Sequence, residues 1–182
     1  MYGHPRQLVT FVLLVGIFSA GLMSRGIAAE LLSPEEARKL FVTAIPLQIE
    51  LAASEPTIVD PVHLAFDEQG RLWVVEMRDY PNGPAPGQPP ISRIKILRDL
   101  DGDGVYEKAT VFADQLLFAT SLLPWKGGVI VALAGKIEWM RDNDGDDRMD
   151  HREVWLEGFA EENPQLRANH PTLGPDGWIY IS

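Results

Sequence analysis

Carboxylates at alternate positions of a short, glycine-containing turn form the donor set a hard cation selects, since Ca2+ takes roughly six to eight oxygen ligands. Two stretches of the chain offer it. Residues 98–107 and 141–150 both read R-D-x-D-G-D-x-x-x-[DE], the second starting 43 residues after the first. The candidate ligands are Asp99, Asp101, Asp103 and Glu107 in one copy, and Asp142, Asp144, Asp146 and Asp150 in the other. Neither copy is an EF-hand. Thr110 stands at the twelfth position of the first, Asp147 replaces the sixth-position glycine of the second, and no helical pattern flanks either. A Ca2+ loop of the D-x-D-x-D-G-x-x-[DE] kind, carried on a β-hairpin, is the better match. The alternative is an Asp/Gly-rich hairpin turn without metal, because both residues suit tight turns for backbone reasons alone. Against that alternative, like charges about 4 Å apart cost ~1 kcal/mol per pair even in water.

A second group can do different chemistry. His170 precedes an apolar run and is a candidate general base. Arg78 and Arg167 are candidates for holding anionic ligand oxygens, since a guanidinium presents a fixed fork of donors. Plainer roles stand beside each: a satisfied turn histidine next to Pro171, and an ion pair of Arg78 with its neighbour Asp79. His63 opens another apolar run and reads as packing, and Trp73, Trp125, Trp139, Trp155 and Trp178 read as core.

The elements that must position these residues are short strands. First comes a helix. Ser33 can cap it, Pro34 suits its first position and Glu36 completes a capping box, with the helix running to Phe41 and stopped by Pro46. Residues 48–52 alternate polar and apolar, the period of a half-buried strand. Strands are then predicted at 63–66, 71–76, 94–97 and 109–112, at 121–124, 129–133, 136–140 and 152–156, and at 170–173 and 178–181. A Pro/Gly-rich loop fills residues 80–90. Four short strands per cycle, with the acidic turn always between the third and fourth, predict an all-β protein, a β-propeller built of four-stranded blades. A β-sandwich is the runner-up. Because blade strands alternate in direction, the acidic turns fall on one face, with the Arg78 and His170 segments on the other. About two and a half blades cannot close a ring without exposed edges, so the chain reads as the N-terminal part of a longer propeller.

Composition narrows the classes further. The 182 residues carry a net charge of −10 and no cysteine. Of the 16 basic residues, Arg6 and Arg25 lie in the first 29, leaving 14 against all 26 acids in the rest. Such a surface argues against a nucleic-acid partner. Without cysteine the chain offers no disulfide, thiolate metal site or covalent haem. His4 and Arg6, the apolar run Leu8 to Met23 and the small residues up to Ala29 predict an export signal at 1–29, cleaved after Ala28 or Ala29. An uncleaved membrane anchor is the alternative. The expected organisation is a signal peptide at 1–29, helix and linker at 30–46, and propeller from 47 to 182, in the periplasm or at the cell surface.

Several runs together resemble one family: residues 33–36, 50–56, 60–61, 70–81 (G-R-L-W-V-V-E-M-R-D-Y-P) and 98–104. They are similar to the membrane-bound dehydrogenases of planctomycetes and their relatives, whose longer members carry a C-terminal haem-binding C-x-x-C-H segment. More distantly, residues 174–182 resemble the F-x-P-D-G-x-L-Y pattern of soluble glucose/sorbosone dehydrogenases, six-bladed propellers that use pyrroloquinoline quinone and Ca2+. The resemblance implies six blades and oxidation of a sugar or alcohol hydroxyl. His170 would take the hydroxyl proton, arginines such as Arg78 and Arg167 would face the quinone, and electrons would leave through haem c beyond residue 182 or through a separate cytochrome. The chain by itself is then expected to be inactive. A non-catalytic propeller that binds carbohydrate or protein is the competing reading.

Overall fold

The computed structural model describes residues 32–182; the expected export signal at 1–29 lies outside them. One short helix, α1 (Pro34–Arg38), opens the described chain, with the capping box in place. Glu36 N–H donates to Ser33 Oγ at 3.3 Å and Ser33 N–H to Glu36 Oε2 at 2.8 Å. It ends three residues sooner than the pattern predicts. No described helix is long and apolar enough to cross a membrane.

Ten strands follow: β1 (Pro61–Phe66), β2 (Leu72–Glu76), β3 (Ser92–Arg98), β4 (Lys108–Leu116), β5 (Ser121–Trp125), β6 (Gly128–Leu133), β7 (Lys136–Arg141), β8 (His151–Glu157), β9 (Thr172–Leu173) and β10 (Ile179–Tyr180). β1 to β4 form one four-stranded antiparallel meander and β5 to β8 a second; β9 and β10 make a hairpin. The first strand of each meander packs on the first strand of the other. Repeated meanders with adjacent first strands are successive blades of a β-propeller, and the sandwich alternative falls.

Period-2 alternation explains how the blades stack. Trp73 and Val75 on β2 point one way, joining Ile94, Ile96, Phe112 and Leu116, and meet Leu122, Val129, Val131, Leu133 and Met140 of the second blade. Leu72 and Val74 point the other way, toward Ala53 and Ile58 of the N-terminal segment. In the second blade Ile130, Ala132 and Ile137 turn toward Ile179 and Ile181 of the hairpin. Central strands therefore bury both faces, which is why β2 and β6 read as near-continuous apolar runs.

The strand expected at 48–52 does not form. Alternation makes a strand possible, but a ladder needs a partner. Here the stretch is held only by isolated hydrogen bonds, the Tyr106 N–H donating to the Ala52 carbonyl at 2.8 Å and Arg38 Nη1 to the Ile49 carbonyl at 3.3 Å. The following residues are tied down by buried charge. Glu76, fully buried, accepts from Val59 N–H at 2.8 Å and lies 2.8 Å from Lys95 Nζ, which also donates to the Thr57 carbonyl. Arg93 Nε completes the group at 2.9 Å from Glu76 Oε2.

Candidate functional site

Both acidic turns close in the same way. Asp99 accepts from Gly102 N–H at 2.7 Å and Gly104 N–H at 2.9 Å, Asp101 from Asp103 N–H, Asp103 from Val105 N–H, and Glu107 from Leu100 N–H. The second turn repeats the set with Asp142, Asp144, Asp146 and Asp150. The Gly104 N–H, ahead of the other backbone donors, holds the Asp99 carboxyl below its ordinary range. At Asp142 partial burial pulls upward, but the N–H groups of Gly145, Asp147, Asp144 and Asp146 prevail and lower it.

Asp99, Asp101, Asp103 and Glu107 each bring an oxygen within 4.8 Å of the others. That is about the span between opposite ligands of a cation with bonds of roughly 2.3–2.6 Å. In the second turn Asp142, Asp144 and Asp150 converge, while Asp146 instead pairs with Arg148 at 3.7 Å. The first turn is thus the fuller donor set.

A group that pattern reading missed ties the second turn to the first blade. Asp147 stands where the first turn has Gly104, and both adopt a left-handed backbone, at φ +64 and +91. Its buried carboxylate accepts from Arg98 Nε and Nη2, each at 2.7 Å, and from Arg71 Nη1 at 2.8 Å. Arg71 in turn is held by Asp67 at 2.7 Å, and Trp73 Nε1 donates to the same Asp67 oxygen. Hydrogen bonding from Arg98, helped by Arg71, keeps the Asp147 carboxyl well ionised. A non-glycine residue at a position that wants glycine was the available signal.

Strand direction places the other candidates on the opposite face, among the connections 77–91 and 158–171. Arg78 lines an open cavity of about 420 Å3 with Tyr80, Asn82, Pro84, Gln88 and Ile91. The ion pair expected between Arg78 and Asp79 is not made. Asp79 is buried and accepts from the Ser92 hydroxyl and the Ile91 N–H, because it anchors the proline-rich loop. Arg167 lies over the Phe118 ring, 3.8 Å from its centroid, and its Nε donates to the Glu161 carbonyl. Neither arginine has a carboxylate partner among the described residues.

His170 has its backbone at φ +55 and an exposed side chain. It does not stand alone. The His63 ring on β1 meets it with centroids 5.4 Å apart and planes at 79°. His63 is therefore more than packing: it is half-buried, and its Nε2–H donates to the Leu122 carbonyl at 2.9 Å. Burial, opposed by that carbonyl and reinforced by His170, holds its protonation below the ordinary histidine range. The repeat offered a clue, since both histidines stand at the start of a blade's first strand. Of the tryptophans, Trp73 is core. On the second blade Trp139 and Trp155 stack and Trp125 meets Trp155 edge-to-face, while Trp178 is exposed.

Blade architecture, paired acidic turns and a histidine pair at the inner strands define a propeller-type protein with two separated polar sites. More particularly, the chain belongs to the DUF7133 family, a domain of unknown function whose model matches residues 33–182. No curated protein sequence matches it. Among solved structures, a Thermus thermophilus protein whose description is oxidoreductase (glucose dehydrogenase) is similar, with 18% identity and a TM-score of 0.45. The match covers 66% of this chain and 38% of that one.

Proposed function

We propose that the protein contributes to a quinone-dependent dehydrogenase, oxidising a sugar or alcohol hydroxyl at the face that carries His170. The observation that carries this reading is an exposed imidazole, with no hydrogen bond to either ring nitrogen among the described residues, presented beside the start of a first strand. A base must offer a free lone pair where a substrate can arrive. The resemblance of residues 174–182 to the soluble sugar dehydrogenases supports the same reading.

The residues fit a planar, polycarboxylated quinone in kind: Arg78 and Arg167 lie on this face without carboxylate partners and would hold its anionic oxygens. When bound, pyrroloquinoline quinone supplies the hydride acceptor. A ring nitrogen of His170 takes the hydroxyl proton as the C–H hydride departs, and His63, kept neutral, adds no opposing charge. Ca2+ belongs to the reading as ligand of the first acidic turn, whose four convergent carboxylates match its donor preference. So does export, with electrons passing to haem c in the same protein or in a separate cytochrome.

The test is reconstitution of the full-length protein with the quinone and Ca2+, followed by dye reduction against a panel of aldoses and alcohols. Dye reduction that vanishes in His170→Gln supports the proposal. Absence of both quinone binding and dye reduction overturns it in favour of a non-catalytic propeller that binds carbohydrate or protein.

A further inference from the structure

We infer that His63 is a positioning residue for His170, holding the imidazole in one orientation while the fully buried Ser121 holds the backbone beneath it. The inference rests on the reading of His170 as the base.

Three observations converge. His170 adopts the left-handed conformation, which costs a non-glycine residue roughly 1–2 kcal/mol, so the surroundings must impose it. They do so through the His170 N–H, which donates to Ser121 Oγ at 2.7 Å, and through the His170 carbonyl, which accepts from Thr172 Oγ1 at 3.0 Å. The preceding Asn169 is fixed by a reciprocal backbone pair with Ser182, at 2.8 and 3.0 Å. A backbone pinned on each side of one residue presents that side chain in a defined direction.

The ring is another matter. No hydrogen bond from a described residue orients it, so its rotamer rests on the edge-to-face contact with His63. His63 suits that task because its own ring is locked. A carbonyl can only accept, so the Leu122 contact puts a proton on His63 Nε2; half-burial favours the neutral ring, and in that form Nδ1 is the bare lone pair. The partner is thus a neutral ring of known tautomer, carried on β1 of one blade and anchored to β5 of the next. Any change in the angle between these blades moves it. The site is therefore assembled across the blade seam.

The experiment is histidine-selective NMR on the full chain, comparing wild type with His63→Ala and His63→Phe, with tryptophan fluorescence as the control for folding. In the wild type His63 shows the Nε2–H tautomer and His170 one sharp set of ring signals. His63→Ala averages the His170 ring over rotamers, and His63→Phe, which restores the edge contact but not the hydrogen bond to Leu122, restores the order in part. In the full-length enzyme His63→Ala lowers kcat about 10–100-fold with little change in KM, as expected for a misoriented base, and His63→Phe recovers part of it. Unchanged His170 ring signals in folded His63→Ala overturn the inference. Full activity in His170→Gln overturns the base reading instead, leaving the ring-order result to stand by itself.

Discussion

Replacing Asp147 with asparagine removes one charge from between Arg71 and Arg98 and keeps a side chain that tolerates the left-handed backbone. Stranding a buried charge costs roughly 3–5 kcal/mol. Here the arginines are not stranded. Arg71 keeps Asp67, and the Arg98 side chain is 35% exposed, so water can replace part of what it loses. The expected cost of Asp147→Asn is therefore about 2–3 kcal/mol. Asp147→Gly loses the same pairs but relieves the backbone by about 1 kcal/mol, so it should fall between Asp147→Asn and wild type. The carboxyl is lowered in the folded state, so its contribution is present above the unfolded value of about 3.9 and is lost as pH falls through the folded one. The gap between wild type and Asp147→Asn should be full at neutral pH and shrink below about pH 4. Urea unfolding followed by tryptophan fluorescence measures both. A gap under about 0.5 kcal/mol at pH 7, or an equal gap at pH 7 and pH 3, would refute the stabilising role of the Asp147 pairs with Arg71 and Arg98.

Further expectations follow from the same geometry. A Cβ at Gly128 would lie 2.5 Å from the Met140 carbonyl and 2.8 Å from Trp139 Nε1, so Gly128→Ala should destabilise by about 1–3 kcal/mol in the same unfolding assay. Glu76→Gln leaves Arg93 and Lys95 facing a neutral group in a buried setting and should cost about 3 kcal/mol or more, read as a lowered Tm. Calorimetric titration should find Ca2+ binding weakened about tenfold or more by Asp101→Asn, but less by Asp146→Asn, whose carboxylate stands apart from its cluster; no heat at millimolar Ca2+ would remove the ion from the scheme.

Strand spacing carried the blade architecture. Apolar alternation and glycine-marked turns are local, and they located all ten strands to within a few residues. What escaped depends on neighbours that no local pattern encodes. Residues 48–52 alternate well yet pair with nothing, because a ladder is made by two strands. His63 looks like packing until the adjoining blades bring it against His170, which lies 107 positions further along the chain. Arg98 looks like the opening of a metal turn, but its guanidinium serves the following repeat. At Arg78 the adjacent acid invited an ion pair, whereas Asp79 was needed to hold Ser92 and the proline-rich loop.

Asp147 has its N–H on Asp142 Oδ2 and its carboxylate on two arginines of the preceding blade. Loop closure and seam closure therefore share one residue in the second turn, and no such residue exists in the first, where Gly104 has no side chain. The two copies of one motif are thus thermodynamically unlike: the first can open alone, while the second can open only by loosening the joint between blades. In hydrogen exchange the Gly104 amide should report a local fluctuation. The Asp147 amide should report the cooperative unit that also sets where His63 stands.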